Sequence, residues 1–280
     1  MAEIKHIKGE EFRRMQLLEL DMLIEFDRIC RENDIRYTIF GGTLLGAVRH
    51  KGYIPWDDDA DIAMLREDYE KFIKCAHLLN EDICFFQNHE NDPEYRWGYG
   101  KLRKTGTTFV RAGQEHLKGK TGVFVDVFPM DDIPISMIGQ MLHNFYCFCL
   151  RKILWTEVGR VTEKNKFKKF VYKYLAHIPT KEVFKRVKKM ADRSKNSTRN
   201  RVRCLLFPPT GTLYRKNTLK TRFGMPKEWF TDLAEYSFET AKLFGTKEYD
   251  IILKYIYGDY MKLPDEKDRE PHSPVSSYNF

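Results

Sequence analysis

The chain has 280 residues, of which 42% are apolar, 14% aromatic and 31% charged, with a formal net charge of +8. So many apolar residues exclude a disordered chain, while the charged share and a mean hydropathy of −0.54 exclude a membrane-embedded one. The length allows one large domain, or a core with a helical appendage, around a sizeable buried interior.

The opening MAEIKHIKGEEF has no apolar stretch behind its positive charges, so it does not read as a secretory signal and a cytosolic protein is expected. Phe12, Met15, Leu18, Met22, Ile24, Phe26 and Ile29 recur at mostly helical spacing, which predicts an amphipathic helix from Gly9 to about Asn33. Ile35 to Phe40 reads as a strand ending at Gly41-Gly42, and Thr43 to Val48 as the start of a short helix. Asp59 to Leu65 reads as a second strand. Glu67 to Leu79 reads as a helix with Tyr69, Phe72, Ile73, Ala76 and Leu79 inward. Ile83 to Gln87, Tyr99 to Val110 and Val123 to Phe128 supply further strands, and their alternation with helices up to about residue 133 predicts an α/β or α+β core.

Met137 to Trp155 is strongly apolar, but Gln140, His143 and Asn144 interrupt it; a core helix is predicted rather than a membrane span. From Arg151 to Arg203, eighteen Lys and Arg stand against four acids, which makes the middle of the chain cationic. Within it, Lys164 to Ile178 places Phe167, Phe170, Val171, Tyr174 and Leu175 on one helix face and lysines around the other. Two readings stand: a packed helix with a solvated basic face, or a helix lying on an anionic membrane surface. Arg203 to Phe207 reads as a strand before a Pro208-Pro209 break, Lys247 to Tyr257 as a helix, and Pro264 to Phe280 as a tail, ordered in part at most. Six scattered cysteines without a CxxC pair support neither a disulfide framework nor a zinc site.

Asp57, Asp58, Asp59 and Asp61 are the conspicuous chemistry. Carboxylates this close repel one another unless a cation neutralises them. Strand alternation puts Asp57, Asp59 and Asp61 on one face, with Ala60, Ile62 and Met64 on the other beside a peripheral Asp58. Hard oxygen ligands suit Mg²⁺ or Mn²⁺ shared with substrate phosphates. A calcium loop fits poorly, because Ile62 stands where its Gly is required and Asp68 where its Glu is. Asp126, alone in the apolar run Val123 to Phe128, reads as a further site carboxylate or as the partner of a buried cation. Gly41-Gly42 reads as a tight turn, or as backbone that lets a phosphate come close.

At these residues the chain resembles a known family. GGTLLGAVRHKGYIPWDDDADIAM, residues 41 to 64, is similar to the signature of the LicD family, whose relatives include the fukutin-type transferases. The resemblance continues through Tyr99 to Arg103, Thr107 to Phe109, Val123 to Asp132 and Tyr257 to Met261. It implies an α+β fold with a nucleotidyltransferase, polymerase-beta-like mixed-sheet core and helical additions. On that reading residues 1–135 form the catalytic core, 136–202 a basic helical insertion or subdomain, 203–263 the part that completes the domain, and 264–280 the tail.

The same resemblance implies a metal-dependent phosphotransferase. It would move phosphocholine or a similar phospho-substituent from a CDP-activated donor such as CDP-choline to a glycan acceptor of lipopolysaccharide, teichoic acid or capsule, releasing CMP. Asp57, Asp59, Asp61 and Asp126 then become the catalytic and metal-binding set, with the choice of general base open between Asp57 and Asp126. Gly41, Gly42 and Thr43 fall on the donor, and Arg49, Lys101 and Arg103 are the cations for its phosphates, with His50 and His272 as weaker candidates. If choline is carried, Tyr53, Trp56, Tyr95, Trp97 and Tyr99 are the aromatic faces available to its ammonium. Peripheral contact with the inner face of an anionic membrane goes with this reading. The alternatives are transfer of a nucleoside monophosphate with pyrophosphate release, and a nucleic-acid binder built on the basic middle.

Overall fold

The computed structural model describes residues 4–195, 200–208, 223–271 and 273–280. Its fold is a mixed α+β one. Helix α1 (Gly9–Glu32) buries Phe12, Met15, Met22, Leu23, Phe26 and Ile29 and packs across the central sheet; Ile24, grouped with that face by its spacing, points outward. There follow β1 (Thr38–Ile39), α2 (Gly41–Arg49), β2 (Ala60–Leu65), α3 (Arg66–Cys75), β3 (Cys84–Gln87), β4 (Gly100–Lys104), β5 (Thr108–Arg111) and β6 (Phe124–Asp132). The strand order β1-β2-β6-β4-β3 is mixed: β2 and β6 run parallel, and the other neighbours antiparallel.

Three expected strands change length for local reasons. The first shrinks to Thr38–Ile39 because the Arg36 amide donates to the Asp68 side chain instead of joining a ladder. Residues 99–110 split at Gly106, whose φ of 75° turns the chain between β4 and β5. β6 runs on to Asp132 because its end pairs with β7 (Arg201–Arg203), which pairs in turn with β8 (Met225–Pro226). The strand expected over Arg203 to Phe207 stops at Arg203, whose guanidinium reaches the carbonyls of Leu205 and Phe207 at 3.3 Å and folds the segment back. Pro209 and His272 lie outside the described residues.

After β6 come α4 (Met137–Leu154), α5 (Thr156–Thr162), α6 (Lys166–Leu175) and α7 (Thr180–Ser194). Cys147, Leu150 and Leu154 of α4 join Val183, Phe184, Val187 and Met190 of α7 and Leu205 and Leu206 in a second, smaller hydrophobic cluster. One expectation fails here: α4 is not a core helix, since only one of its apolar faces is buried. On α6, Phe167, Phe170 and Tyr174 are exposed, which speaks against the packed one of its two readings. Among the described residues, no helix is long and apolar enough to cross a membrane.

The chain ends with β9 (Leu233–Phe238), β10 (Ala241–Thr246), α8 (Tyr249–Tyr257) and β11 (Val275–Asn279). Within residues 264–280, β11 is the ordered part: it pairs antiparallel with β5, and the Tyr278 hydroxyl donates to Glu11 at 2.7 Å. All six cysteines are free, with Cys30, Cys84 and Cys147 buried.

Candidate active site

Strand register builds the centre of the site. β2 sets Asp61 opposite Asp126 of β6, and β4 sets Lys101 opposite the same Asp126. Opposed residues share a sheet face, so Asp61, Asp126 and Lys101 form a row across three strands. The Lys101 Nζ donates to Asp126 Oδ1, and both residues are buried. Asp126 therefore has the buried cationic partner that one sequence reading anticipates, and it also lies beside the acidic run.

Asp57, Asp58 and Asp59 come from the turn ahead of β2, which starts only at Ala60. Two-residue alternation does not govern a turn. One carboxylate oxygen from each of the three lies within 4.8 Å of the others, so Asp58 joins the group even as its Oδ2 accepts the Ser273 amide at 2.7 Å. Gln16 of α1 ties the turn down: its Nε2 donates to the carbonyls of Ile54 and Asp57 at 3.2 and 3.0 Å.

The first turn of α2 presses against these carboxylates. At Gly41, with a φ of 55°, a β-carbon would stand 2.7 Å from Asp61 Oδ2, and at Gly42 it would collide with Asp57 Oδ2. Only residues without side chains bring backbone this near. Thr43 acts beside them, its Oγ1 accepting the Asp61 amide at 2.8 Å, while the Phe40 amide donates to the Asp61 carbonyl at 2.9 Å. Asp61 is thus fixed through both of its backbone groups.

Burial and mutual repulsion set the charges. The Asp57 carboxyl is pushed well above the usual range, first by burial and then by Asp59 and Asp58. Asp61 is pushed up by burial, then by Asp59, Asp126 and Asp57. Asp59 is raised to about 6 by burial, then by Asp126 and Asp58, with Arg111 and Lys101 opposing. Lys101 is lowered to about 7 by burial, against the pull of Asp126 and with Arg103 and Arg111 adding to the fall.

Two clefts border this centre. A cavity of about 180 Å³ is lined by Lys101, Arg103 and Arg111 together with Tyr95, Trp97 and Tyr99. A second of about 200 Å³ has Gly41, Asp61 and Tyr257 in its wall, with Phe128 and Phe207. Of the five aromatic candidates, Tyr95, Trp97 and Tyr99 share a cleft. Tyr53 packs instead on Phe238 at 4.8 Å, and Trp56 lies beside His50 at 6.3 Å with Arg269 over its ring.

The expected phosphate cations are unequal. Arg103 faces the cleft, but it spends its Nε on Gln87 Oε1 at 2.8 Å and an Nη on the Gly122 carbonyl at 2.9 Å. Arg49, at the end of α2, donates to the Tyr260 carbonyl at 2.8 Å. His50 sits next to it, its imidazole pushed down by burial and then by Arg49. Sequence reasoning misses Arg111 and Tyr257. Arg111 Nη2 lies 3.9 Å from Asp59 Oδ2, and its buried Nε has no hydrogen-bond partner among the described residues. The strand expected to end at Val110 stops one residue short of it. Burial, then Asp61, Asp57 and Asp59, push the Tyr257 hydroxyl up. Tyr257 opens a stretch on which the resemblance rests, but only the packing of α8 on α2 brings it to Gly41.

With this geometry in view, the similarities of the chain acquire a location. Residues 34–149 match the LicD/FKTN/FKRP nucleotidyltransferase domain, a span that holds Gly41, the aspartate run, Lys101, Arg111 and Asp126. The lipopolysaccharide cholinephosphotransferase LicD of Haemophilus influenzae is 29% identical over 97% of this chain and 99% of its own length. Two shorter similarities join it. The uncharacterized protein RT0683 of Rickettsia typhi is 42% identical over 24% of this chain and 21% of its own length, and RP689 of Rickettsia prowazekii is 62% identical over 14% and 15%. Residues 34–149 are thus similar to the LicD family, and the likeness to one lipopolysaccharide cholinephosphotransferase runs over nearly the whole chain.

Proposed function

We propose that the chain is a metal-dependent phosphotransferase with a polymerase-beta-like core, working at the inner face of the cell membrane. It moves phosphocholine, or a similar phospho-substituent, from a CDP-activated donor to a hydroxyl of a cell-surface glycan or its lipid-linked precursor. The observation that carries this reading is the similarity, over nearly the whole of both chains, to a lipopolysaccharide cholinephosphotransferase. The clustered carboxylates beside Lys101 and Arg111 supply chemistry that suits it.

The donor set fits a hard divalent cation: all its ligands are oxygens, Asp57 and Asp59 each bring one within 4.8 Å of the other, and burial holds the Asp57, Asp59 and Asp61 carboxyls back from ionising unless a cation compensates. In this reading Asp59 and Asp61 hold Mg²⁺ or Mn²⁺, with Asp57 and Asp126 beside them. Bound there, the cation would offset charge on the donor's pyrophosphate. Lys101 and Arg111 line the cleft beside these carboxylates, and Gly41, Gly42 and Thr43 bring backbone and a hydroxyl against Asp57 and Asp61. The glycan oxygen forms its bond to the phosphorus that carries choline, the bond from that phosphorus to the bridging oxygen breaks, and CMP leaves with that oxygen. The hydroxyl proton passes to Asp57. Asp126 is already committed to Lys101, which leaves Asp57 as the carboxylate for that proton. Tyr95, Trp97 and Tyr99 are the aromatic faces within the cleft for the quaternary ammonium.

The test is incubation with Mg²⁺, CDP-choline and a panel of lipopolysaccharide, teichoic-acid and capsular acceptors, with an Asp59→Ala/Asp61→Ala control. CMP release that depends on an acceptor is the expected result. Pyrophosphate release would move the chain to the second reading, nucleotidyl transfer, which the description of its matched domain favours. Neither product, or an equally active control, would remove the proposal.

Gly42→Ala gives a finer test. Alanine is the better helix former by about 1 kcal/mol. Its methyl group, however, would displace the Asp57 carboxylate. Turnover is expected to fall about 10- to 100-fold with little change in melting temperature. Kinetics and a thermal melt on the same preparation check it; a parallel loss of fold would mean that Gly42 serves architecture alone.

A further inference from the structure

An apolar face stands uncovered on the helices beyond β6. On α4, Ile138, Met141, Leu142, Phe145 and Phe148 form a stripe opposite the buried Gln140, His143, Cys147, Leu150 and Leu154. Leu142 and Phe145 are each 66% exposed. On α6, Phe167, Phe170, Val171 and Tyr174 fall at i, i+3, i+4 and i+7, the spacing of a burying face, yet Phe167 and Tyr174 are 74% and 73% exposed. Lys152 joins the two helices: its Nζ lies 5.5 Å from the Phe148 ring centre and donates to the Tyr172 hydroxyl at 3.2 Å.

We propose that the outer faces of α4 and α6 together dock the protein on an anionic lipid bilayer. Exposed apolar side chains grouped on one helix face mark an interaction surface. Charge selects the occupant. At about 100° per residue, exposed Lys168 flanks the α6 stripe on one side and exposed Lys166 and Lys173 on the other, with Lys164 just ahead of the helix. Eighteen Lys and Arg against four acids over residues 151–203 extend the same sign. Aromatic rings between flanking lysines suit the boundary between headgroups and acyl chains, where the rings enter and the ammonium groups reach phosphates. A nucleic acid would use the lysines and leave the apolar stripe wet. The surface also lies next to the site: a cavity of about 220 Å³ runs from Arg151 and Lys152 of α4 to Trp97 and Tyr99, which line the Lys101 cleft. The docking holds whatever donor the enzyme uses.

The test is sedimentation of the purified full chain with vesicles of phosphatidylcholine mixed with phosphatidylglycerol, and with vesicles of phosphatidylcholine alone. Binding to the anionic vesicles is expected, weakening as salt rises. Phe145→Ser/Phe167→Ser/Phe170→Ser should lower that binding by at least ~10-fold with the melting temperature kept, since these rings are exposed. Lys166→Gln/Lys168→Gln/Lys173→Gln should remove the preference for anionic lipid, and it decides the matter if the serine variant does not fold. The proposal is overturned if the wild-type chain stays out of the pellet or the serine variant binds as tightly. It is equally overturned if light scattering shows a dimer that the serine variant dissolves, or if the chain binds duplex DNA and no vesicle.

Discussion

Asp61→Asn is expected to cost about 10³-fold in turnover and at the same time to raise the melting temperature of the metal-free protein. Asparagine keeps the size and the backbone bonds to Thr43 and Phe40 but removes one charge from a crowd of like charges. Because the folded-state value of Asp61 lies above its ordinary 3.8, the folded protein takes up a proton where the unfolded chain has none. The cost of the ionised form is full above the folded value and disappears as acid protonates it. The advantage of the variant, about 1 kcal/mol or ~3 °C, should therefore be largest near pH 8 and shrink toward pH 5. Saturating Mg²⁺ should reverse the order at pH 8 by stabilising the wild type alone. Calorimetry of both proteins across that range, beside CMP-release kinetics, checks every part. Wild-type turnover in the variant, or a lower melt at pH 8, would show that Asp61 is no part of a charged centre.

Lys101→Met is the complementary loss. It leaves Asp126 buried without its ammonium, at an expected cost of about 3–5 kcal/mol. The measurement belongs near pH 6, because Lys101 titrates at about 7 and carries its charge only below that. Adding Asp126→Leu should recover most of the stability, since replacing both members of a buried pair with apolar groups spares the desolvation that one stranded charge suffers. Urea unfolding of the single and double variants separates a working pair from a decorative one: a single variant within about 1 kcal/mol of wild type would contradict the pairing.

Most of what sequence shows of this molecule is periodic. The spacing of Phe12, Met15, Met22 and Phe26 gives α1, and the apolar runs around Asp61 and Asp126 give β2 nearly to its ends and the first part of β6. Both aspartates were visible because a carboxylate in an apolar strand needs a reason to be there. That they face each other was not visible, since only the parallel register of β2 and β6 sets it. Alternation does not govern Asp58, because residues 57–59 precede the strand. Arg111 and Tyr257 were missed because their approach depends on β5 and α8 packing from distant parts of the chain. The outward rings of α6 mark the limit of amphipathic patterns. They report that a helix has an apolar side, and leave open whether protein or lipid receives it.

The turn that carries Asp57 and Asp58 is held from both ends of the polypeptide: by Gln16 near the start, and by the Ser273 amide close to β11, the strand that also flanks Arg111. The order of synthesis then bears on the enzyme. The sheet from β1 to β6 has all its own strands once residue 132 has left the ribosome, but the acidic turn lacks its last hydrogen bond until Ser273 arrives. A nascent chain thus carries its repelling carboxylates on an unfinished scaffold until the segment around Ser273 has been made.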